Sequence, residues 1–217
     1  MKINPVFAIL ITAMLKPQTK FIFFITLALI FVTLIWLSSK VPVKTSQEDL
    51  VQTDRPFLGG KEATIVITEY VDFSCPHCRQ ATEEIKKIQQ LFGDQVRLDF
   101  RYLPLSNDTF LAAIAAECAN QQNKFWPYAD ILFRKAPAFG SDNLKRYAQD
   151  SGLEMTVFNQ CLDSQATARV VSADSGQATS RGATSAPAIF INEQNLGSSW
   201  QSLNQQILHL IAVQKND

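Results

Sequence analysis

Residues 64–92 read TIVITEYVDFSCPHCRQATEEIKKIQQLF, and two periodicities meet inside this stretch. Thr64–Phe73 is β-branched and aromatic with few polar interruptions, the composition of a central strand covered on both faces. From residue 75 to residue 92 the pattern becomes helical. Cys78, Ala81, Ile85, Ile88 and Phe92 fall on one face, and Gly93 supplies a C-terminal stop. Glu83 and Lys87 are spaced for an i,i+4 pair on the other side. A buried strand that runs straight into an amphipathic helix puts the residues between them at the helix N-terminus. Those residues are Cys75-Pro76-His77-Cys78.

Pro76 suits the first helical position, where its missing N–H would have no partner anyway. Cys75 then stands at the N-cap, where unpaired backbone N–H groups and the helix dipole favour an anion. His77 adds a donor beside it. Cys78 lies one turn on, facing the core with Ala81 and Ile85. Exchange chemistry needs this asymmetry: Cys75 is the sulfur that partners attack or leave from, and Cys78 closes and opens the internal disulfide. A stabilised Cys75 thiolate stabilises the dithiol and makes the disulfide an oxidant. Zinc would require two further ligands. Cys118, Cys161, His77 and His209 offer no second tight pair, so the sequence calls for no metal. A haem attachment site would need His after the second Cys, and Arg79 stands there.

Downstream, Val96–Tyr102 alternates, with Val96, Leu98, Phe100 and Tyr102 against Arg97, Asp99 and Arg101, a strand with one face buried. Pro104 ends it. From 106 to about 180 the chain reads as a block of roughly four helices: 109–122 capped by Asn107-Asp108, 125–134, 142–150 capped by Ser141, and a stretch from Glu154 onward. Strand signals return at Ala188–Asn192, a turn follows at Glu193–Asn195, a short piece lies around Leu196, and a last helix is expected over 199–213. The remaining cysteines sit in the helical block. Cys118 shares a face with Leu111 and Ile114, and Cys161 follows Val157 and Phe158. Two readings stand: a structural bridge closing a loop of about 44 residues, or two buried thiols packed as small apolar groups.

Upstream, no charge interrupts Phe21–Ser39, FIFFITLALIFVTLIWLSS. As a helix it would be roughly 28 Å long, close to the ~30 Å hydrocarbon layer. Thr26 and Thr33 can bond back to helix carbonyls, and Trp36 suits an interface. A cleaved signal has a shorter apolar core and a small-x-small site, which Leu37-Ser38-Ser39 imitates poorly. The expectation is a short N-terminal segment 1–20, a transmembrane anchor 21–39, a linker 40–58 and an exported domain 59–213 with a helical insert of about 106–180. Lys2, Lys16 and Lys20 before the span, against Lys40 and Lys44 after it, place the N-terminus in the cytoplasm and the domain outside. The 217-residue chain carries 20 basic and 20 acidic residues, which argues against nucleic acid as a partner.

Phe73-Ser74-Cys75-Pro76-His77-Cys78, Glu69 six residues before Cys75, and Ala186-Pro187 before Ile189-Phe190-Ile191-Asn192 together resemble the DsbA-like branch of the thioredoxin superfamily. Glu117-Cys118-Ala119, Lys124-Phe125-Trp126 and Cys161-Leu162-Asp163 are similar to the helical insert of that branch. The resemblance covers nearly all of 56–213. It implies an α/β thioredoxin fold with an inserted helical subdomain, a redox-active Cys75–Cys78 pair and no cofactor. It also implies a buried acid at Glu69 that assists proton transfer, and a cis-proline at Pro187 beside the cysteines. The activity implied is oxidation of thiols in exported, periplasmic proteins, with reoxidation by a DsbB-like membrane partner. Alternatives are a reductase or isomerase on the same fold, or a tethered client-binding chaperone. Ala186 departs from the Thr or Val that relatives often carry before the cis-proline, a position that tunes the strength of oxidation.

Overall fold

The computed structural model describes residues 26–27, 29–31, 33, 55–197 and 203–214. The chain divides into two compact units, Met1–Asp49 and Leu50–Asp217. In the first, the described residues are helical and exposed, and Thr33 donates its hydroxyl to the Ile30 carbonyl at 2.8 Å. Most of the anchor expected over 21–39 lies outside the described residues. Among the described residues no helix is long and apolar enough to cross a membrane.

The second unit is built on a five-stranded mixed sheet of order β1-β3-β2-β4-β5. The strands are β1 (Phe57–Leu58), β2 (Ile65–Val71), β3 (Val96–Tyr102), β4 (Ala188–Ile191) and β5 (Gln194–Gly197). β2 is central, parallel to β3 and antiparallel to β4. Its run of β-branched and aromatic residues reflects that position, with every member but Val66 buried. Helix α1 (Pro76–Phe92) follows β2 and buries Cys78, Ala81, Thr82, Ile85 and Ile88. Ala81, Ile85 and Ile88 pack with Ile65, Ile67, Val96 and Leu98 of the sheet and with Leu203 and Ile207 of the C-terminal helix.

Between β3 and β4 lies the helical insert: α2 (Asn107–Asn120), α3 (Phe125–Lys135), α4 (Ser141–Asp150), α5 (Met155–Leu162) and α6 (Gln165–Ser180). The last helix is α7 (Leu203–Gln214). The insert has its own apolar core, joined to the sheet through Phe73, Phe100 and Tyr102. Phe100 lies 4.8 Å from Phe125, and Phe73 lies 5.1 Å from Phe133, between ring centroids. Polar ties complete the joint. Tyr102 donates its hydroxyl to Glu117 at 2.9 Å. Asp174 on α6 accepts from the Tyr102 N–H at 3.2 Å and pairs with Arg55 at 3.0 Å. Burial holds the Asp174 carboxyl above its usual range, with Arg55 and Arg101 opposing.

Several local expectations need correction. The insert has five helices, because Asp163 and Ser164 break the stretch after Glu154, and Ser164 caps α6 by accepting from the Ala166 N–H. α2 is capped by Ser106, in a reciprocal box with Thr109, and not by Asn107-Asp108. Gly140 rather than Ser141 holds the N-cap of α4. Lys87 pairs with Glu84 at 2.6 Å, while Glu83 pairs with Arg79 at 3.0 Å. Phe57–Leu58, assigned to the linker, forms the edge strand against β3.

Candidate active site

The end of β2 and the start of α1 set the dithiol. Cys75 is the N-cap residue in an extended conformation, and its sulfur accepts from the Cys78 N–H at 3.4 Å. Pro76 stands at the first helical position, so the N-terminal turn loses no bond. Cys75 is half-buried, whereas Pro76 and His77 are exposed. Cys78 is fully buried, and the two cysteines are not bridged. Burial is the main force pushing the Cys78 thiol far above its usual range, and the charge of Glu69 adds to it. The pair is therefore asymmetric, with one sulfur at a helix terminus facing out and the other enclosed.

The loop before β4 closes over this pair. The Ala186–Pro187 peptide bond is cis, Pro187 is buried, and the Cys75 thiol donates to the Ala186 carbonyl at 3.5 Å. Ala186 thus touches the outer sulfur through its backbone.

Glu69 lies in the middle of β2, between Phe100 of β3 and Ile189 of β4, with no exposed surface. Its Oε2 accepts from the Thr82 hydroxyl at 2.9 Å, and its Oε1 has no partner among the described residues. Burial raises the carboxyl to about 8, against the opposing pull of the Thr82 hydrogen bond and the Lys86 charge. A carboxyl near that value exchanges protons at neutral pH, beside a thiol that resists ionisation.

A folded-state value raised above the usual 4.5 means the native protein holds this proton longer than the unfolded chain does. Stability is fully present below about 4.5 and is lost as pH rises to about 8. Glu69→Gln keeps the shape and removes the charge. Denaturant titrations should show Glu69→Gln matching wild type near pH 4.5 and exceeding it at pH 9, by at most roughly 4–5 kcal/mol. Parallel pH profiles for the two proteins would remove the buried-charge assignment.

Asp72, which no catalytic motif singles out, shapes the site together with Ser74. Buried Asp72 accepts from the Ser74 N–H at 2.7 Å, from the Ser74 hydroxyl at 2.6 Å and from the Leu105 N–H at 2.7 Å. One carboxylate thereby ties the loop carrying Cys75 to the loop after β3. The signal was present: Asp followed two residues later by Ser, just past a strand, is an Asx-turn pattern. Thr82 was legible too, one turn after Cys78 on the buried face of α1. Cys118 and Cys161 lie in the insert, joined by a disulfide with Cα atoms 5.6 Å apart. Among the described residues no group of three or more His, Cys, Asp or Glu side chains could hold a metal.

Comparison with known proteins agrees with this architecture. The thioredoxin family model matches residues 52–208, more than two thirds of the chain. The Na(+)/H(+) antiporter NhaA of Herminiimonas arsenicoxydans is 32% identical over 190 residues, covering 82% of this chain and 31% of the antiporter. The chain thus spans between about a fifth and a third of the length of the curated relatives it matches. Among solved structures, the thiol-disulfide exchange protein α-DsbA2 of Wolbachia pipientis superposes with a TM-score of 0.65 at 17% identity, over 74% of this chain and 89% of that one. Oxidised BdbD of Bacillus subtilis superposes with a TM-score of 0.64 at 22% identity, over 71% and 91%. The chain belongs to the thioredoxin family, and it carries a helical insert and a Cys-Pro-His-Cys dithiol at the start of α1.

Proposed function

We propose that this chain is a protein thiol:disulfide oxidoreductase that introduces disulfides into exported proteins. The observation that carries the reading is the asymmetry of the dithiol. The Cys75 sulfur sits at a helix terminus 3.5 Å from the Ala186 carbonyl, and Cys78 is buried one turn behind it. In the disulfide form, a client thiolate attacks Cys75 Sγ, the Cys75–Cys78 bond breaks, and Cys78 leaves as a thiolate. Glu69 supplies the proton that Cys78 takes up. A second client thiolate then attacks the client sulfur of the mixed disulfide, and Cys75 leaves as a thiolate, a form the helix terminus favours. Two electrons pass from client to protein. The return to the disulfide calls for an oxidising membrane partner of the DsbB type, which takes those electrons. No cofactor is needed for the exchange.

Residues 21–39 would hold the domain at the outer face of the cytoplasmic membrane, where disulfides persist. The uncharged apolar run and the lysine excess before it support that placement. Ala186, where relatives often carry Thr or Val, leaves a second direction open on the same site, reduction or isomerisation. The test is a single turnover: oxidised protein mixed with a peptide bearing two thiols, quenched with acid. An oxidase gives one peptide disulfide for each Cys75–Cys78 disulfide reduced. Peptide left as dithiol, with the protein still oxidised, contradicts the reading.

A further inference from the structure

We infer that Thr82 is the positioning residue of a proton route between the buried Glu69 carboxyl and a solvent cleft between α1 and α3. The inference rests on the dithiol chemistry proposed above and names how its proton is resupplied. Glu69 is enclosed, and the client step that protonates Cys78 leaves it a buried carboxylate until a proton reaches it, from solvent or from Cys78 when the disulfide re-forms. Its strand neighbours, Phe100 and Ile189, carry no titratable group. The charged and titratable groups acting with it lie on α1: Cys78 toward the dithiol and Lys86 toward the cleft. Lys86 is itself paired with Asp130 of α3 at 2.8 Å.

Thr82 touches both sides. It is 2% exposed and donates to Glu69 Oε2 at 2.9 Å, yet it also lines a cleft of about 220 Å³ with Arg79, Glu83, Lys86 and Asp130. That volume admits several waters, and its lining gives them partners. The orientation suits inward delivery, because the hydroxyl already donates to the carboxyl. In the step, Glu69 gives its O–H proton to Cys78 Sγ. The resulting carboxylate takes the Thr82 hydroxyl proton, and Thr82 takes one from cleft water. Only O–H and S–H bonds change, no electrons move, and bulk buffer supplies the net proton. Oε1, without a partner among the described residues, remains to carry the proton toward the thiol.

The test compares wild type, Thr82→Val and Thr82→Ser in two measurements. One is the single-turnover rate with a dithiol peptide from pH 6 to 9; the other is the ¹³C titration of the Glu69 carboxyl. The route predicts that Thr82→Val slows the turnover about tenfold at pH 9 in the molecules that start with Glu69 as the carboxylate and must first take a proton through the hydroxyl, and leaves the rate at pH 6 unchanged. It also moves the Glu69 midpoint upward by about one pH unit, since a hydrogen bond to the anion is lost. Thr82→Ser restores both to within about twofold of wild type. Should the valine variant not fold, Thr82→Ala gives the same two readouts. A hydroxyl-free variant with wild-type rate and midpoint overturns the route, as does a serine variant as slow as valine. Wild type that fails to oxidise the peptide at any pH overturns the functional reading itself, and the route with it.

Discussion

Replacing Cys75 by serine reduces peptide oxidation to the uncatalysed background, while the folded domain and its melting temperature persist. The sulfur at the α1 N-cap is the atom that client thiolates attack, and a hydroxyl cannot form the disulfide. Cys78→Ser behaves differently. Cys75 stays reactive, so challenge with an activated or mixed-disulfide peptide captures one equivalent on it, and no resolving thiol lies one turn on to release the peptide. Intact-mass measurement after acid quench should find the adduct on Cys75 in Cys78→Ser and none on Cys78 in Cys75→Ser. Capture by Cys78 in the Cys75→Ser protein would reverse the roles assigned to the two sulfurs. Its burial argues against that outcome.

Removing the second pair, in Cys118→Ser/Cys161→Ser, should cost stability without touching exchange. The bridge joins α2 to α5 across a sequence separation of 43 residues, inside the insert core. Chain entropy alone gives a loss of about 4 kcal/mol on opening such a loop. For a domain of this size that is a fall in melting temperature of roughly 8–16 °C. The dithiol is set by β2, α1 and the Pro187 loop, so single-turnover oxidation at 20 °C should remain within about twofold of wild type, since distant sites act nearly independently. Equal melting temperatures for the double variant and the oxidised wild type would mean the bridge adds nothing beyond two packed apolar side chains.

What the sequence disclosed follows the strength of each local signal. Val96–Tyr102 alternates without a break and forms a strand with those bounds. The strand-to-helix junction at Cys75 was legible because proline, a period change and an N-cap position coincide there. Phe57–Leu58 was not, since two residues are too short to show any period. The break between α5 and α6 carries neither glycine nor proline, only Asp163 and Ser164, so two helices read as one. Long-range ties were the least visible. Asp72 to Leu105 and Arg55 to Asp174 join residues 33 and 119 positions apart, and no local pattern ranks one acid above another as the partner. Glu69 was legible as buried from its place in the strand and from resemblance together, against the reading of an exposed acid at the strand end.

The central claim, that the Cys75–Cys78 pair oxidises client thiols, is tested most directly by its reduction potential, measured by equilibration with glutathione and alkylation of the products. The Cys75 sulfur at the α1 N-cap accepts from the Cys78 N–H at 3.4 Å, a bond that steadies the dithiol and so raises the potential. The account predicts a value between about −100 and −180 mV, the range of dithiol oxidases and isomerases. A value near about −270 mV, where thioredoxin-type reductants lie, would contradict it.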